Sequence, residues 1–144
     1  MTEEAARHRF RFPVQVRFAD TDLQGHVYFS NYLVYCDEAL SAYLHAIGYP
    51  WDRLGEAGLE LFFVDTGYRF LGSARFEERL DVHARIARLG NTSLTAEMTV
   101  CRAGGGEVIG AGHITAVAVD PRTRRPGPIP QAFRDAVAAY EAGA

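Results

Sequence analysis

The chain has 144 residues, 48% hydrophobic and 12% aromatic, with 15 Lys+Arg against 18 Asp+Glu for a net charge of −3. That suits one domain with a substantial core, too apolar for disorder and too short for two cores. The mildly acidic balance argues against a nonspecific nucleic-acid surface, and no apolar run approaches a membrane span.

Residues 1 to 8 read as a loose, charged leader without the apolar segment of a secretory signal. The expectation is therefore a cytoplasmic, soluble protein. Cys36 and Cys101 stand in apolar runs without metal-ligand or CxxC spacing, which fits buried free thiols in a reducing compartment.

From Phe10 the residues Phe10, Phe12, Val14, Val16 and Phe18 alternate with polar neighbours, the period of a half-buried strand. Pro13 removes one ladder donor and suggests an edge or an entry position. Continued alternation would turn Asp20 and Asp22 inward, which is costly unless something pairs or uses them. A turn at Gly25 follows, then His26 and an aromatic run leading into a helix. A carboxylate just upstream of unpaired helix N–H groups is a candidate base or nucleophile beside an oxyanion site.

Residues 29 to 47 read as the one long helix, with Phe29, Leu33, Cys36, Leu40, Tyr43, Leu44 and Ile47 as its apolar stripe. Tyr32 and Ala39 widen it, and Asp37 lies on the opposite face. Ser30 or Asn31 can cap its start, and Gly48 with Pro50 ends it. A stripe this broad suggests burial in the concavity of a curved sheet. Residues 51 to 58 form an irregular connection with room for one helical turn. Strand-like runs follow at 59 to 70 (interrupted by Gly67), 79 to 89, 94 to 102 and 107 to 119. Gly90-Asn91 and Gly104-Gly105-Gly106 are hairpin signals. Arg122, Arg124 and Arg125 sit in a Pro-rich loop, and residues 131 to 142 form a short terminal helix. The order describes one α+β domain spanning 1 to 144, helix segregated to one face of an antiparallel sheet. Its long edge strands call for a partner.

The run Asp20-Thr21-Asp22, Gly25, Val27-Tyr28-Phe29 and Asn31-Tyr32, with Asp37 further along the helix, resembles hotdog-fold acyl-CoA thioesterases of the 4-hydroxybenzoyl-CoA thioesterase type. The resemblance extends through residues 69 to 80 and Leu89-Gly90-Asn91-Thr92-Ser93 to Pro130. It implies a long helix wrapped by a curved antiparallel sheet of about five or six strands. It also implies dimers with a continuous sheet, often paired into tetramers, and sites at the subunit interface. Asp22 matches the catalytic carboxylate, and the carbonyl-polarising backbone N–H falls on Phe29. Gly25, His26, Tyr28, Asp37 and Ser73 match positions near the acyl group, with Ser73 on the following strand. The turn at Asn91 and Thr92, with Arg88, matches the coenzyme A end. That turn is less basic than in other members, and Arg85 or Arg102 could compensate. No cofactor or metal is implied.

The chemistry is coherent, because a thioester carbonyl turning tetrahedral gains charge that a fixed N–H stabilises. Asp22 then acts as nucleophile or as general base. Asp20 reads as the structural member of the pair, with Arg17 a candidate partner. His26 is either a general acid or hydrogen-bonded within its turn, and the other histidines read as structural. The carrier of the acyl group is coenzyme A or an acyl carrier protein. Two other readings keep the fold: a non-catalytic acyl-CoA binder, and a dehydratase, for which only His26 stands near the site.

Overall fold

The computed structural model describes residues 8–143. Five strands, β1 (Phe10–Gln15), β2 (Glu60–Phe70), β3 (Arg79–Leu89), β4 (Ser93–Arg102) and β5 (Val108–Val119), form one antiparallel sheet in the order β1-β3-β4-β5-β2. Three helices accompany it: α1 (Asn31–Ala46), α2 (Trp51–Glu56) and α3 (Gln131–Ala142). This is the α+β hotdog arrangement, a long helix held by a curved sheet of five strands. None of the described helices is long and apolar enough to cross a membrane.

The concave face interdigitates large and small side chains in register. Met98 lies between Ala84 and Gly112, and Ala96 between Ile86 and Ile114. Such alternation lets α1 approach the sheet closely while filling the space at interior density. Tyr32, Tyr35, Cys36, Ala39, Leu40, Tyr43 and Leu44 are its buried face. Tyr43 meets Phe10 edge-on at 5.7 Å and donates its hydroxyl to Glu141 at 2.6 Å, tying α1 to β1 and α3. From α3, Phe133 is fully buried against Tyr49. The end of α1 closes as a Schellman motif: Gly48 has φ +80°, its N–H donates to His45, and the Tyr49 N–H donates to Leu44.

Several sequence expectations need correction. The strand ends at Gln15, and the alternation runs on through buried Val16 and exposed Arg17. A 3-10 turn, Phe18–Asp20, then breaks it, so that Phe18 is exposed while Asp20 is buried and Asp22 only partly so. The long helix begins at Asn31, so Phe29 belongs to the turn ahead of it and is 58% exposed. Tyr35 takes a place in the buried stripe instead. Gly67 does not interrupt β2; the irregularity lies between Phe63 and Asp65. Gly67 is instead a close-approach residue, since a Cβ there would stand 2.7 Å from the His113 ring. The connection after α1 contains a six-residue helix. Of the expected leader, residues 1–7 lie outside the described residues, whereas His8 packs on the sheet with Nε2 3.1 Å from the Thr99 hydroxyl. Pro13 does stand in an edge strand, because β1 pairs only with β3.

Candidate functional site

Asp20 is the anchor around which the site is built. It is 4% exposed, and its carboxylate accepts from the Arg17 N–H at 3.0 Å, Arg17 Nη2 at 2.9 Å and the Tyr35 hydroxyl at 2.8 Å. Burial opposes the charged form, but the hydrogen bonds from Arg17 and Tyr35 outweigh it and hold this carboxyl below its ordinary range. Tyr35 moves the other way: burial, then the bond to Asp20, raise its hydroxyl. The main-chain carbonyl of Asp20 is equally engaged. It accepts from the Tyr28 N–H at 2.9 Å and from Asn31 Nδ2 at 3.0 Å.

Asp22 sits two residues on, half-buried, at the head of a tight turn. Its N–H donates to the His26 carbonyl, and its own carbonyl accepts from Gly25, whose φ of +82° only glycine adopts freely. Oδ1 of Asp22 accepts from the Gln24 N–H at 2.8 Å, the Asx arrangement that fixes a side chain against its own turn. Among the described residues, Oδ2 has no hydrogen-bond partner. His26 bridges to Arg75 through the backbone, and its Nδ1 lies 3.3 Å from the Val27 carbonyl. That arrangement matches the turn-bound alternative for His26.

Phe29 occupies the next turn, closed by the Asn31 N–H on the Tyr28 carbonyl at 2.8 Å. In that turn the Tyr28 and Asn31 N–H groups are engaged, by the Asp20 and Tyr28 carbonyls. Among the described residues the Phe29 N–H has no acceptor. The ring of Phe29 is exposed beside Tyr28 at 4.8 Å and Phe70 at 6.4 Å, so Tyr28 and Phe29 form an open aromatic wall.

The segment joining β2 to β3 docks on this turn. Val27 N–H donates to the Ala74 carbonyl at 2.8 Å, and Ala74 N–H donates to the Tyr32 hydroxyl at 3.0 Å. Tyr32 in turn stacks on Tyr68 at 5.3 Å. Ser73 therefore comes close to the Asp22 turn in the fold, but from this connecting segment and not from a strand. Its side chain is exposed, and its carbonyl accepts from Arg102 Nη2 at 3.0 Å.

The remaining expected residues lie apart. Asp37 is exposed at the rim of an apolar cleft of about 610 Å3 formed with Leu33, Val34, Phe63, Val64 and Ile114. Asn91 and Thr92 belong to the β3–β4 turn, which is clamped from behind by Arg134 of α3 on the Gly90 and Asn91 carbonyls. Sequence reasoning missed Arg134, because nothing in its own neighbourhood points to a turn more than 40 residues away. Arg88 is exposed beside that turn. Arg85 and Arg102, expected as substitutes, are committed elsewhere: Arg85 to Glu97 at 3.0 Å, and Arg102 to Glu78 and Glu107. Cys36 is fully buried, which pushes its thiol up to about 12 and leaves it inert as a nucleophile at neutral pH.

Residues 16–137 match the family model described as thioesterase-like superfamily. The acyl-CoA thioester hydrolase YbgC of Escherichia coli is 24% identical over 124 residues, 86% of this chain and 92% of that one. A 1,4-dihydroxy-2-naphthoyl-CoA thioesterase from Synechocystis has a similar structure, with TM-score 0.83 and 25% identity over 90% of this chain and 95% of the other. A gentisyl-coenzyme A thioesterase superposes with TM-score 0.78 and 26% identity, covering 89% and 99% of the two chains.

Proposed function

The chain belongs to the thioesterase-like superfamily, and we propose that it hydrolyses acyl-coenzyme A thioesters with Asp22 as the catalytic carboxylate. The observation that carries this reading is the pair of uncommitted groups on one rigid frame. One is Oδ2 of Asp22; the other is the Phe29 N–H, in the turn that leads into α1. The N–H groups of Asp22, Val27, Tyr28 and Asn31 and Oδ1 of Asp22 are hydrogen-bonded around them, which holds these two groups on a fixed frame open to a ligand.

In this reading the Phe29 N–H donates to the thioester oxygen as it becomes an oxyanion, and Asp22 attacks the carbonyl carbon or takes a proton from water. On the first route the carbon–sulfur bond breaks to leave an acyl–Asp22 anhydride and the coenzyme A thiol, and water then hydrolyses the anhydride to the free acid. On the second the deprotonated water adds to the carbonyl carbon, and the carbon–sulfur bond breaks to release acid and thiol. Tyr28, Phe29 and Phe70 supply an apolar wall for the acyl chain. The exposed apolar side chains of Phe63 and Val64 on the open edge strand β2 support pairing with a second copy there. Such pairing would cover the cleft that Asp37 borders. The names of the related thioesterases support aromatic acyl groups as first substrates to try.

The test is Asp22→Asn, which keeps shape and removes charge. Thiol release from aromatic and aliphatic acyl-CoAs is expected to fall about a thousandfold, with the fold intact. A rate near that of the unaltered protein across the panel would refute the assignment.

A further inference from the structure

The Asp20 carbonyl ties the segment that carries the Asp22 carboxylate to the turn that carries the Phe29 N–H. The Asp20 oxygen receives Tyr28 N–H from the turn leading into α1 and Asn31 Nδ2 from the helix's first residue. Both of its lone pairs are therefore used. Asp20 itself is pinned through its side chain by Arg17 and Tyr35. On the far side, Asn31 N–H closes the turn onto the Tyr28 carbonyl. Residues 28 to 31 are thus fastened at both ends, with the Phe29 N–H between the fastenings.

Asn31 serves no capping purpose that would explain it. The N-cap is Ser30, and no side chain caps that end of the helix. An ordinary asparagine at a helix start offers its oxygen to N–H groups of the first turn. This one points backwards and offers its nitrogen to a carbonyl outside the helix. An aspartate of the same shape could not donate there when ionised.

We propose that Asn31 is a positioning residue, whose amide on the Asp20 carbonyl keeps the Phe29 N–H aligned with the Asp22 carboxylate. The inference rests on the hydrolytic reading above. Without that bond the turn from Tyr28 to Asn31 loses one of its two links to the strand of chain bearing Asp22. The bound thioester then still enters, but its oxygen and the carboxylate no longer meet it together. A displacement on the order of 1 Å can cost about a hundredfold in rate.

The experiment measures kcat and KM for thiol release by Asn31→Ala and Asn31→Asp, at a temperature where melting curves show each variant fully folded. Expected is a loss of about tenfold to a hundredfold in kcat with KM within about twofold in both variants. Asn31→Asp keeps the side-chain size and favours a helix start, so it provides the comparison if the alanine variant does not fold. Unchanged kcat in the folded variant, or a change carried by KM alone, would overturn the proposal. Asp22→Asn separates the two readings. If it abolishes turnover while Asn31→Asp does not affect kcat, only the positioning role fails; if Asp22→Asn stays active, the hydrolytic reading fails first.

Discussion

Replacing Asp20 by asparagine tests the frame beneath the site. The buried carboxylate accepts from the Arg17 main chain, the Arg17 guanidinium and the Tyr35 hydroxyl. Asn keeps one acceptor oxygen and turns the other into a donor facing donors. The Arg17 pair is a small part of the cost, because the arginine is 73% exposed and returns to water; such pairs contribute about 1 kcal/mol or less. The larger part is the Tyr35 hydroxyl, left buried without a charged acceptor at about 1.5–3 kcal/mol. Together the loss is about 3 kcal/mol, or about 10 °C in melting temperature for a chain of this length. Tyr35→Phe removes only the hydroxyl and should lose about half of that. The pH dependence has a definite sign. The folded carboxyl titrates below its unfolded value, so its stabilisation is fully present above about pH 4 and is lost as pH falls through the folded value. Thermal melts followed by circular dichroism at fixed protein concentration, at pH 7 and pH 3, read both effects. If Asp20→Asn melts within about 2 °C of the parent at pH 7, or the gap persists undiminished at pH 3, the account of this carboxylate is wrong.

Two further predictions concern the sheet. Tyr68 buries its hydroxyl without a partner over Gly110, where an added Cβ would stand 1.8 Å from the oxygen. Tyr68→Phe should therefore raise stability by about 1 kcal/mol and Gly110→Ala lower it by about 3, both measurable in urea titrations. On the outer face, burial first, then the charges of His83 and Arg85, lower the His8 imidazole to about 4, with Glu97 opposing. A neutral folded histidine contributes stability that is complete above about pH 6.5 and lost progressively as pH falls toward 4. His8→Gln should flatten that part of the stability–pH curve while leaving the share due to His83, whose pKa is also lowered by burial.

What could be read from the residues was whatever is periodic or local. Apolar residues recur at every second position in β3 (Leu80, Val82, Ala84, Ile86) and β4 (Leu94, Ala96, Met98, Val100) because one face is buried under α1. The ends of these strands and of β5 were found to within about one residue. Gly48 announced the end of α1 because a left-handed cap has few alternatives. Phe29 was drawn into the helix because its spacing from Leu33 fits the helical period, yet spacing does not reveal that the Tyr28 carbonyl closes a turn first. Gly67 looked like an interruption because the His113 ring that needs the space lies 46 residues further on in the sequence. The same blindness to distance hid the pairing of Arg85 and Arg102 and the clamp by Arg134. In the site, Arg17 was legible as the partner of Asp20 because it stands three residues away. Asn31 as a donor to the Asp20 carbonyl was not, since asparagine near a helix start reads as a cap.

The two rims of the sheet are chemically unequal. β1 carries Pro13, which cannot donate and blunts that rim, while β2 runs for eleven residues with open backbone and exposed Phe63, Val64 and Phe70. A sheet with one receptive rim behaves like a monomer with a single bonding valence. Were two copies to join through β2, each would consume the other's valence, and both outer rims of the enlarged sheet would end in a strand bearing proline. Growth by strand addition would terminate at that point. Edge-to-edge association of that kind would be self-limiting, with higher concentration filling pairs and not extending them into filaments.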